Sequence, residues 1–253
     1  MYNMQKEEQI LIRHLIDLSR KTYYQHIRTY SEFVNLGELH LFLSNIKDFE
    51  IVNYKIDGGY PEAERCCISF YDKHSADGNS PVICLSIQPV NQRFSDRLTH
   101  RDVLGAILHL GIERNQTGDI IIDDNIAYLF CTAGISEFIT NNLIKVKHTK
   151  VNVCIYNAEK IRPSIKYKIR QGTVSSIRLD AVISLAFSLP RSKAVSYILA
   201  GSVYVNGLLV ESSSYMLKDN DVISVRKLGK FRFENTGTKS RKDNFVIKTH
   251  IYI

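Results

Sequence analysis

The sequence predicts an α+β protein made of three successive parts, and three observations support this class. Apolar residues recur at helical spacing from residue 7 to about 46. The middle of the chain alternates apolar strand segments with amphipathic helices in the order β-α-β-β-α-β. The last part holds two short helices, a tight hairpin and further strands. The predicted boundaries are 1–75 for a helical subdomain with a hairpin, 76–160 for a central domain, 161–173 for a basic connector and 174–253 for a C-terminal domain.

The first part combines helix with a β-hairpin. Leu11 and Leu15 belong to a set of apolar residues at helical spacing, so we predict helix up to about residue 46. Two segments with strand composition follow at 49–54 and 65–71, and turn-forming residues lie between them at 57–61. We therefore expect a hairpin with a long connection.

The central part follows the split βαβ plan of ferredoxin-like and RNA-recognition-motif folds. Thr99 is predicted to cap a helix that runs to Leu110, and Gly111 suits the helix stop. Tyr128 and Phe130 stand where RNA-recognition motifs place stacking aromatics, although the full signature of that motif is missing. Topology alone does not establish RNA binding. The predicted strands are 82–87, 119–122, 126–130 and 151–155, and the second helix carries Ile135, Phe138, Ile139 and Leu143.

The C-terminal part begins with two short helices. Pro190 prevents simple continuation of the first helix. Ser192 is predicted as the N-cap of the second helix, which would stop at Gly201. Asn206 and Gly207 suit the two positive-φ positions of a type I′ turn, which predicts a hairpin over 203–210. Val195, Ile198 and Leu199 are the predicted apolar face of the second helix.

Charge is distributed unevenly along the chain. The net charge is +7, yet the residues from 160 onward carry 17 Lys/Arg against 6 Asp/Glu, a balance of +11. The remaining 16 basic and 20 acidic residues give a balance of −4. A polyanion would gain most from counterion release at the basic C-terminal third, which favours nucleic acid over a merely solvated basic surface.

The same region resembles the RNA-binding domain first described in ribosomal protein S4. The resemblance is carried by Arg178-Leu179-Asp180, by Arg191-Ser192-x-Ala194 and by the segment from Gly201 to Gly207. It implies that two helices and their adjoining loops form a positive face on structured RNA without an active site of their own. The residues expected to bind RNA phosphates are Arg178, Arg191, Lys193, Arg226, Lys227, Lys230 and Arg232.

Two assignments around this face stay open. Ser192 has one hydroxyl for two roles, a phosphate contact or the helix cap. In the basic connector, Lys166, Lys168 and Arg170 fall at period two and would share one side of an extended segment. That pattern fits a track for a polyanion and an edge strand protected by charge equally well.

The whole chain is identified as a member of the bacterial YlmH family. The signature is the segment from Thr99 to Arg114 followed by Gly118-Asp119-Ile120, and the order of domains is the same. The resemblance implies a cytoplasmic protein that binds ribosomal RNA and tRNA on the large subunit. It also implies a part in rescuing stalled large subunits that carry peptidyl-tRNA.

Other function classes find little support. No run of about 18 apolar residues suggests a membrane span, and the first residues lack the plan of a signal peptide. Five cysteines without a Cys-x-x-Cys pair predict reduced, mostly buried thiols. We expect no metal, cofactor or small-molecule substrate, since no phosphate loop or catalytic motif occurs. The alternative is an RNA-modifying enzyme, because Arg178-Leu179-Asp180 resembles the catalytic triplet of pseudouridine synthases, but the Thr-x-Gly run that follows it there is missing.

Overall fold

The computed structural model describes residues 2–49, 51–61, 63–75, 80–158, 161 and 167–252. Among these, side chains are described from residue 6 onward, except that of Phe94. The chain divides into two compact units, 1–163 and 164–253. Both are mixed α+β, and together the described residues form six α-helices and three antiparallel sheets. The finer division of the first unit at residue 75 remains a prediction.

The first unit opens with helix α1 (Tyr2–Gln25), strand β1 (Thr29–Tyr30) and helix α2 (Leu36–Ser44). The prediction of helix throughout 7–46 is therefore wrong in its middle. The chain turns at His26, whose φ is 53°, and a short strand interrupts the helical pattern. The backbone N–H groups of Gly37 and Glu38 donate to the Asn35 side chain at 2.8 and 3.1 Å, so α2 starts afresh with its own cap.

The predicted hairpin is present. Strand β2 (Asn53–Asp57) pairs antiparallel with β3 (Cys67–Tyr71), and β1 adds to the other side of β3. Helix α1 packs on this small sheet because its apolar stripe includes Leu15, which is fully buried. Phe42 from α2 completes a core rich in aromatic rings, with Phe49 and Phe70 as its neighbours.

The central elements follow the predicted order, with one added strand. They are β4 (Val82–Pro89), α3 (His100–His109), β5 (Thr117–Asp123), β6 (Ile126–Thr132), α4 (Ala133–Asn142), β7 (Lys145–Val146) and β8 (Thr149–Tyr156). The antiparallel sheet has the order β5-β6-β4-β8-β7. Thr99 caps α3 by accepting the Asp102 N–H at 3.3 Å, and Gly111 ends the helix region with φ 83°, both as predicted.

The second unit is one six-stranded antiparallel sheet with two helices on one face. Its elements are β9 (Tyr167–Val174), α5 (Leu179–Phe187), α6 (Arg191–Leu199), β10 (Val203–Val205), β11 (Leu208–Leu209), β12 (Val222–Val225), β13 (Gly229–Lys239) and β14 (Phe245–Tyr252). The sheet order is β11-β10-β12-β13-β14-β9. Both helices bury their apolar sides against alternate residues of the strands, among them Phe231 and Phe233.

The predicted hairpin at Asn206-Gly207 is confirmed. Both residues have positive φ, 49° and 80°, and Val205 pairs with Leu208 across the turn. Strand β9 contains residues 167–173 of the basic connector and lies at the edge of the sheet. Lys166 lies outside the described residues, so the alternation of three cations is seen only at Lys168 and Arg170.

The second helix of this unit stops at Gly201 as predicted, with φ 64° at that residue. Its start and part of its apolar face differ from the prediction. Pro190 occupies the N-cap position and α6 begins at Arg191, which places Ser192 inside the first turn. Proline suits this start because its fixed φ, here −57°, leads directly into a helix. Ile198 is buried as predicted, together with Ala194, whereas Leu199 is 67% exposed and lies outside the apolar face.

The thiols match the sequence expectation closely. Cys66, Cys67, Cys84 and Cys131 are buried and Cys154 is exposed. Burial raises the pKa of the Cys66 thiol to about 11 and that of the Cys84 thiol to about 12. Among the described helices none combines the length and the hydropathy that a membrane crossing requires.

Candidate nucleic-acid interface

A single buried carboxylate organises the starts of both C-terminal helices. Asp180 is 3% exposed, and its Oδ1 accepts the backbone N–H of Ala181 at 2.9 Å. Arg178 donates from Nε to Oδ1 at 3.2 Å and from Nη2 to Oδ2 at 3.4 Å. Arg191 donates to Oδ2 from Nη2 at 2.9 Å and from Nε at 3.2 Å. Two arginines that are 13 residues apart in the chain are thereby held at one point.

The paired arginines keep the capacity to bind an anion. Their side chains are 37% and 51% exposed for Arg178 and Arg191, so they reach solvent although Asp180 is buried. A guanidinium has five N–H donors, and the contacts with Asp180 use only Nε and Nη2 of each. The carboxylate therefore orients both groups and leaves donors that suit phosphate oxygens.

The first turn of α6 adds a second source of positive potential. Arg191, Ser192 and Lys193 are all exposed there. The N-terminus of a helix carries a partial positive charge and N–H groups without intrahelical partners, which suits an anion. The geometry removes Ser192 from the capping role, so its hydroxyl stays on the exposed surface beside the two cations.

A cleft adjoins this helix start. Its volume is about 450 Å³, and hydroxyl-bearing side chains of β9 and α5 contribute to its wall together with Arg191. Arg170 donates from Nη1 to Ser188 Oγ at one side of it. Hydroxyl and guanidinium groups around such a cleft suit a phosphate or a ribose. The lining residues are Thr173, Val174, Ser175, Ala181, Ser184, Leu185, Ser188, Leu189 and Arg191.

The sequence-predicted cations do not form one continuous patch. Arg178, Arg191 and Lys193 belong to the helix starts. Arg226 and Lys227 lie in the turn between β12 and β13, where Lys227 has φ 69°. The remaining two, Lys230 and Arg232, lie on strand β13 of the sheet.

Lys230 and Arg232 alternate along β13 with the buried Phe231 and Phe233. Because successive residues of a strand point to opposite faces, these two cations lie on the face of the sheet opposite the helices. The periodicity of residues 230–233 contained this signal, but only the position of the helices showed which face each residue takes.

Two protein-family models match separate stretches of the chain. Residues 83–160 match the family described as "Putative RNA-binding domain in YlmH", and residues 177–223 match the S4 domain. The chain is 26% identical over 249 residues to ribosome-associated protein quality control protein P2 of Bacillus subtilis (strain 168), covering 97% of this chain and 95% of that protein. The chain therefore carries the RNA-binding domain of the YlmH family followed by an S4 domain.

A solved structure shows a related fold. The cell division protein ylmH from Streptococcus pneumoniae is 21% identical and matches with a TM-score of 0.51. The match covers 62% of this chain and 95% of the solved chain. At this identity the likeness concerns the fold alone.

The central sheet does not offer the stacking surface of an RNA-recognition motif at Phe130. Phe130 is fully buried, with the Tyr60 ring centroid 4.9 Å from its own. Residues of the N-terminal part, including Phe33, pack over that half of the sheet. The expectation for Phe130 is therefore wrong, because tertiary packing covers the position. Tyr128 stays partly exposed, with the ring of Tyr156 at 4.9 Å.

Asp119 of the YlmH signature connects the N-terminal part to the central sheet, and Arg114 braces the start of β5 beside it. Asp119 Oδ2 accepts the Tyr60 hydroxyl at 2.8 Å and the backbone N–H of Glu64 at 2.7 Å. Arg114 donates from Nη1 to the carbonyl oxygens of Thr117 and Gly118 at 2.7 and 2.9 Å. Burial and the neighbouring Asp119 carboxylate raise the pKa of Tyr60 well above its usual range, so its hydroxyl remains a donor.

Sequence reasoning missed the partner of this network, Arg65. Its side chain donates to the backbone carbonyls of Phe33 at 3.0 Å, Arg114 at 3.2 Å and Thr117 at 3.0 Å. Burial and the nearby Arg65 lower the pKa of the Arg114 guanidinium, and Asp119 opposes that effect. Only an isolated arginine before a strand is visible in the sequence, and nothing near it indicates carbonyl partners.

Chemistry at Asp180 is disfavoured by its contacts. A catalytic carboxylate must be free to approach its substrate, whereas Asp180 is buried and engaged by two guanidinium groups. Among the described residues, no group of three or more His, Cys, Asp and Glu side chains is arranged to hold a metal ion. The arrangement at the helix starts can bind and orient phosphates.

Proposed function

We propose that this protein is a non-catalytic binder of structured RNA on the large ribosomal subunit, contacting ribosomal RNA and tRNA, and that it acts in quality control of stalled peptidyl-tRNA complexes. The observation that carries the proposal is the pair Arg178 and Arg191, oriented by Asp180 and joined by Lys193 at the start of α6. The name of the Bacillus subtilis relative supports the ribosomal setting.

The physical argument rests on phosphate recognition. Guanidinium groups match the geometry of phosphate oxygens, and orienting them before binding lowers the entropy cost of association. The concentration of cations after residue 160 adds long-range attraction and counterion release. We assign the contacts with RNA phosphates to Arg178, Arg191, Ser192, Lys193, Arg226, Lys227, Lys230 and Arg232.

The N-terminal parts position this binder. We propose a helical subdomain, 1–75, and a central domain with the ferredoxin-like or RNA-recognition-motif plan, 76–160, joined by the connector 161–173 to the S4 domain at 174–253. The strand order β5-β6-β4-β8 supports that plan for the central domain. We place the protein in the cytoplasm, where ribosomes work, and assign it no cofactor or small-molecule substrate.

The test removes charge at the helix start. The double substitution Arg191→Ala and Lys193→Ala should weaken binding to ribosomal RNA and reduce the magnitude of the salt slope by about 1.5–2, since two phosphate contacts are lost. The measurement is RNA affinity at several salt concentrations, together with co-sedimentation with ribosomes. Circular dichroism verifies that the variant is folded.

The matched control is Arg241→Ala with Lys242→Ala. It removes the same charge from the exposed turn between β13 and β14 of the same unit. The proposal requires a smaller loss in the control than in the helix-start variant. Equal losses would show that net charge alone drives binding, and unchanged binding in both would remove the helix start from the interface.

A further inference from the structure

The face of the six-stranded sheet opposite the helices carries tyrosines and cations side by side. We call it the tyrosine face, and it lies mostly outside residues 177–223, the part that matches the S4 domain. Arg226 is exposed to solvent, and the other residues of this face are partly exposed. The residues of the tyrosine face are Tyr167, Tyr204, Arg226, Lys230, Arg232, His250 and Tyr252.

Strand register places these residues together. Tyr252 on β14 pairs with Tyr167 on the edge strand β9, and the two ring centroids are 5.0 Å apart. Arg232 on β13 pairs with His250, whose ring centroid is 5.7 Å from that of Tyr167. Directly paired residues share a face of the sheet, so the rings on β9 and β14 form one continuous surface with Arg232 on β13.

Each tyrosine has a cation against its ring. Lys230 Nζ is 4.7 Å from the centroid of Tyr252, and Arg232 Cζ is 5.6 Å from that of Tyr167. Farther along the sheet, Arg226 Cζ is 5.2 Å from the centroid of Tyr204 and the same side chain donates to the Tyr204 hydroxyl. These contacts hold the flexible cationic side chains close to the aromatic surface.

The acidic group on this face is already neutralised. Glu234 accepts from Lys248 at 3.1 Å and lies 2.6 Å from His250 Nε2. The hydrogen bond with His250 and the one with Lys248 lower the pKa of the Glu234 carboxyl, which keeps it ionised and paired. The cations next to the tyrosines therefore dominate the charge of the tyrosine face.

We propose that the tyrosine face binds unpaired bases of RNA by stacking, in addition to the phosphate contacts at the helix starts. Aromatic rings beside cations provide the two interactions that single-stranded RNA requires, a platform for bases and positive charge for the backbone. A protein or lipid partner would not need this pairing of each ring with a cation. The inference rests on the proposed RNA-binding function and extends it to a second surface with a different ligand chemistry.

The two surfaces are separate within the unit. The helix starts lie on the side of the sheet where α5 and α6 pack, and the tyrosine face is on the other side. The same nucleotides of an RNA duplex therefore cannot contact both surfaces. The arrangement suits an RNA in which a helical part meets the arginines and an unpaired strand reaches the tyrosines.

The test compares three fluorescently labelled probes with the full-length protein: a ten-nucleotide oligoadenylate, an abasic ribose-phosphate strand of equal length and an RNA hairpin. We expect the oligoadenylate to bind at least about tenfold more tightly than the abasic strand, because each stacked base contributes to affinity. Equal affinities of the wild-type protein for these two strands would overturn the proposal without any variant.

Variants locate the effect. Tyr167→Leu with Tyr252→Leu should reduce affinity for oligoadenylate about tenfold or more and leave the abasic strand within about twofold. Tyr167→Phe with Tyr252→Phe keeps both rings and should retain most of the affinity. Wild-type affinity for oligoadenylate in the folded leucine variant contradicts the assignment.

Photocrosslinking of a 4-thiouridine strand to the wild-type protein gives a second measurement that needs no substitution. We expect mass spectrometry to find adducts on peptides that contain Tyr167 or Tyr252. Adducts confined to residues 178–199 would overturn the proposal. It would also be overturned if the protein showed no base-dependent RNA affinity and instead bound a protein partner in a complex that resists nuclease and high salt.

Failure of this inference is distinguishable from failure of the proposed function. The Arg191→Ala and Lys193→Ala variant should lose affinity for the hairpin and keep the preference for oligoadenylate over the abasic strand. The leucine variant should show the reverse pattern. Loss of both in both variants would contradict two separate surfaces.

Discussion

At the scale of single residues, Asp180 explains why a negative charge stands inside a basic surface. The sequence alone makes it resemble a catalytic aspartate because it follows Arg-Leu. The structure shows that it accepts hydrogen bonds from Arg178, Arg191 and the Ala181 N–H. A buried carboxylate with charged partners fixes their position, and removing it leaves two cations without orientation.

The first prediction concerns Asp180→Asn. The substitution retains the size of the side chain and removes the charge that attracts both arginines, so we expect the free energy of unfolding to fall by about 1–3 kcal/mol. Urea denaturation measures the change. Asp243→Asn is the control, since Asp243 is 83% exposed and its pair with Lys239 should contribute less than about 1 kcal/mol. Equal losses in the two variants would refute the organising role.

At the scale of elements, close packing decides which loops and strands of the first unit can meet. Gly118 on β5 has no side chain, and a Cβ there would lie 2.6 Å from Phe33 Cε1 and 3.1 Å from Phe130 Cβ. This glycine therefore lets the N-terminal part pack closely over the central sheet. Asp119 and Arg65 secure the same junction by hydrogen bonds.

The second prediction compares two glycine substitutions. Gly118→Ala should destabilise the first unit by about 1–3 kcal/mol, because the added methyl overpacks the contact with Phe33. For comparison, Gly105 is exposed on α3, and no atom lies within 4 Å of the position that an added Cβ would take. Gly105→Ala should stabilise by about 0.5–1 kcal/mol through helix propensity. Thermal and urea unfolding of both variants provide the measurement, and a neutral Gly118→Ala would contradict the packing argument.

At the scale of the whole molecule, charge and architecture divide the chain at nearly the same place. The boundary of the compact units lies after Pro163, and the basic excess begins near residue 160. The core of the second unit is assembled from its own residues, from Val174 to Ile247. A unit with its own core and an excess of positive over negative charge should act independently in RNA binding.

The third prediction follows from that independence. A fragment of residues 164–253 should unfold cooperatively and keep most of the salt dependence of RNA binding, because it contains both cationic surfaces. Circular dichroism melting and RNA titration at several salt concentrations measure these properties. The fragment 1–163 serves as the comparison. A salt slope that resides mainly in 1–163 would place the principal RNA contacts in the other unit.

Local features were predictable because neighbouring residues cause them. The side chain of Thr99 caps the helix that follows it, and Asn206-Gly207 adopts the positive φ values of its turn without help from distant residues. The prediction of helix throughout residues 7–46 was wrong because the break after Gln25 depends on the pairing of Thr29 and Tyr30 with β3. Ser192 failed as a cap because Pro190 already supplies the helix start.

The split βαβ plan of the central part, the basic C-terminal third and the motifs of the YlmH family are readable from the sequence. Tertiary structure alone decided that Phe130 is buried, that Asp180 joins Arg178 to Arg191, and that Lys230 and Arg232 lie away from the helix starts. The physical reason is the range of the interactions. Caps, turns and hydrophobic periodicity act between near neighbours, whereas burial and shared charge depend on residues that only the fold brings together.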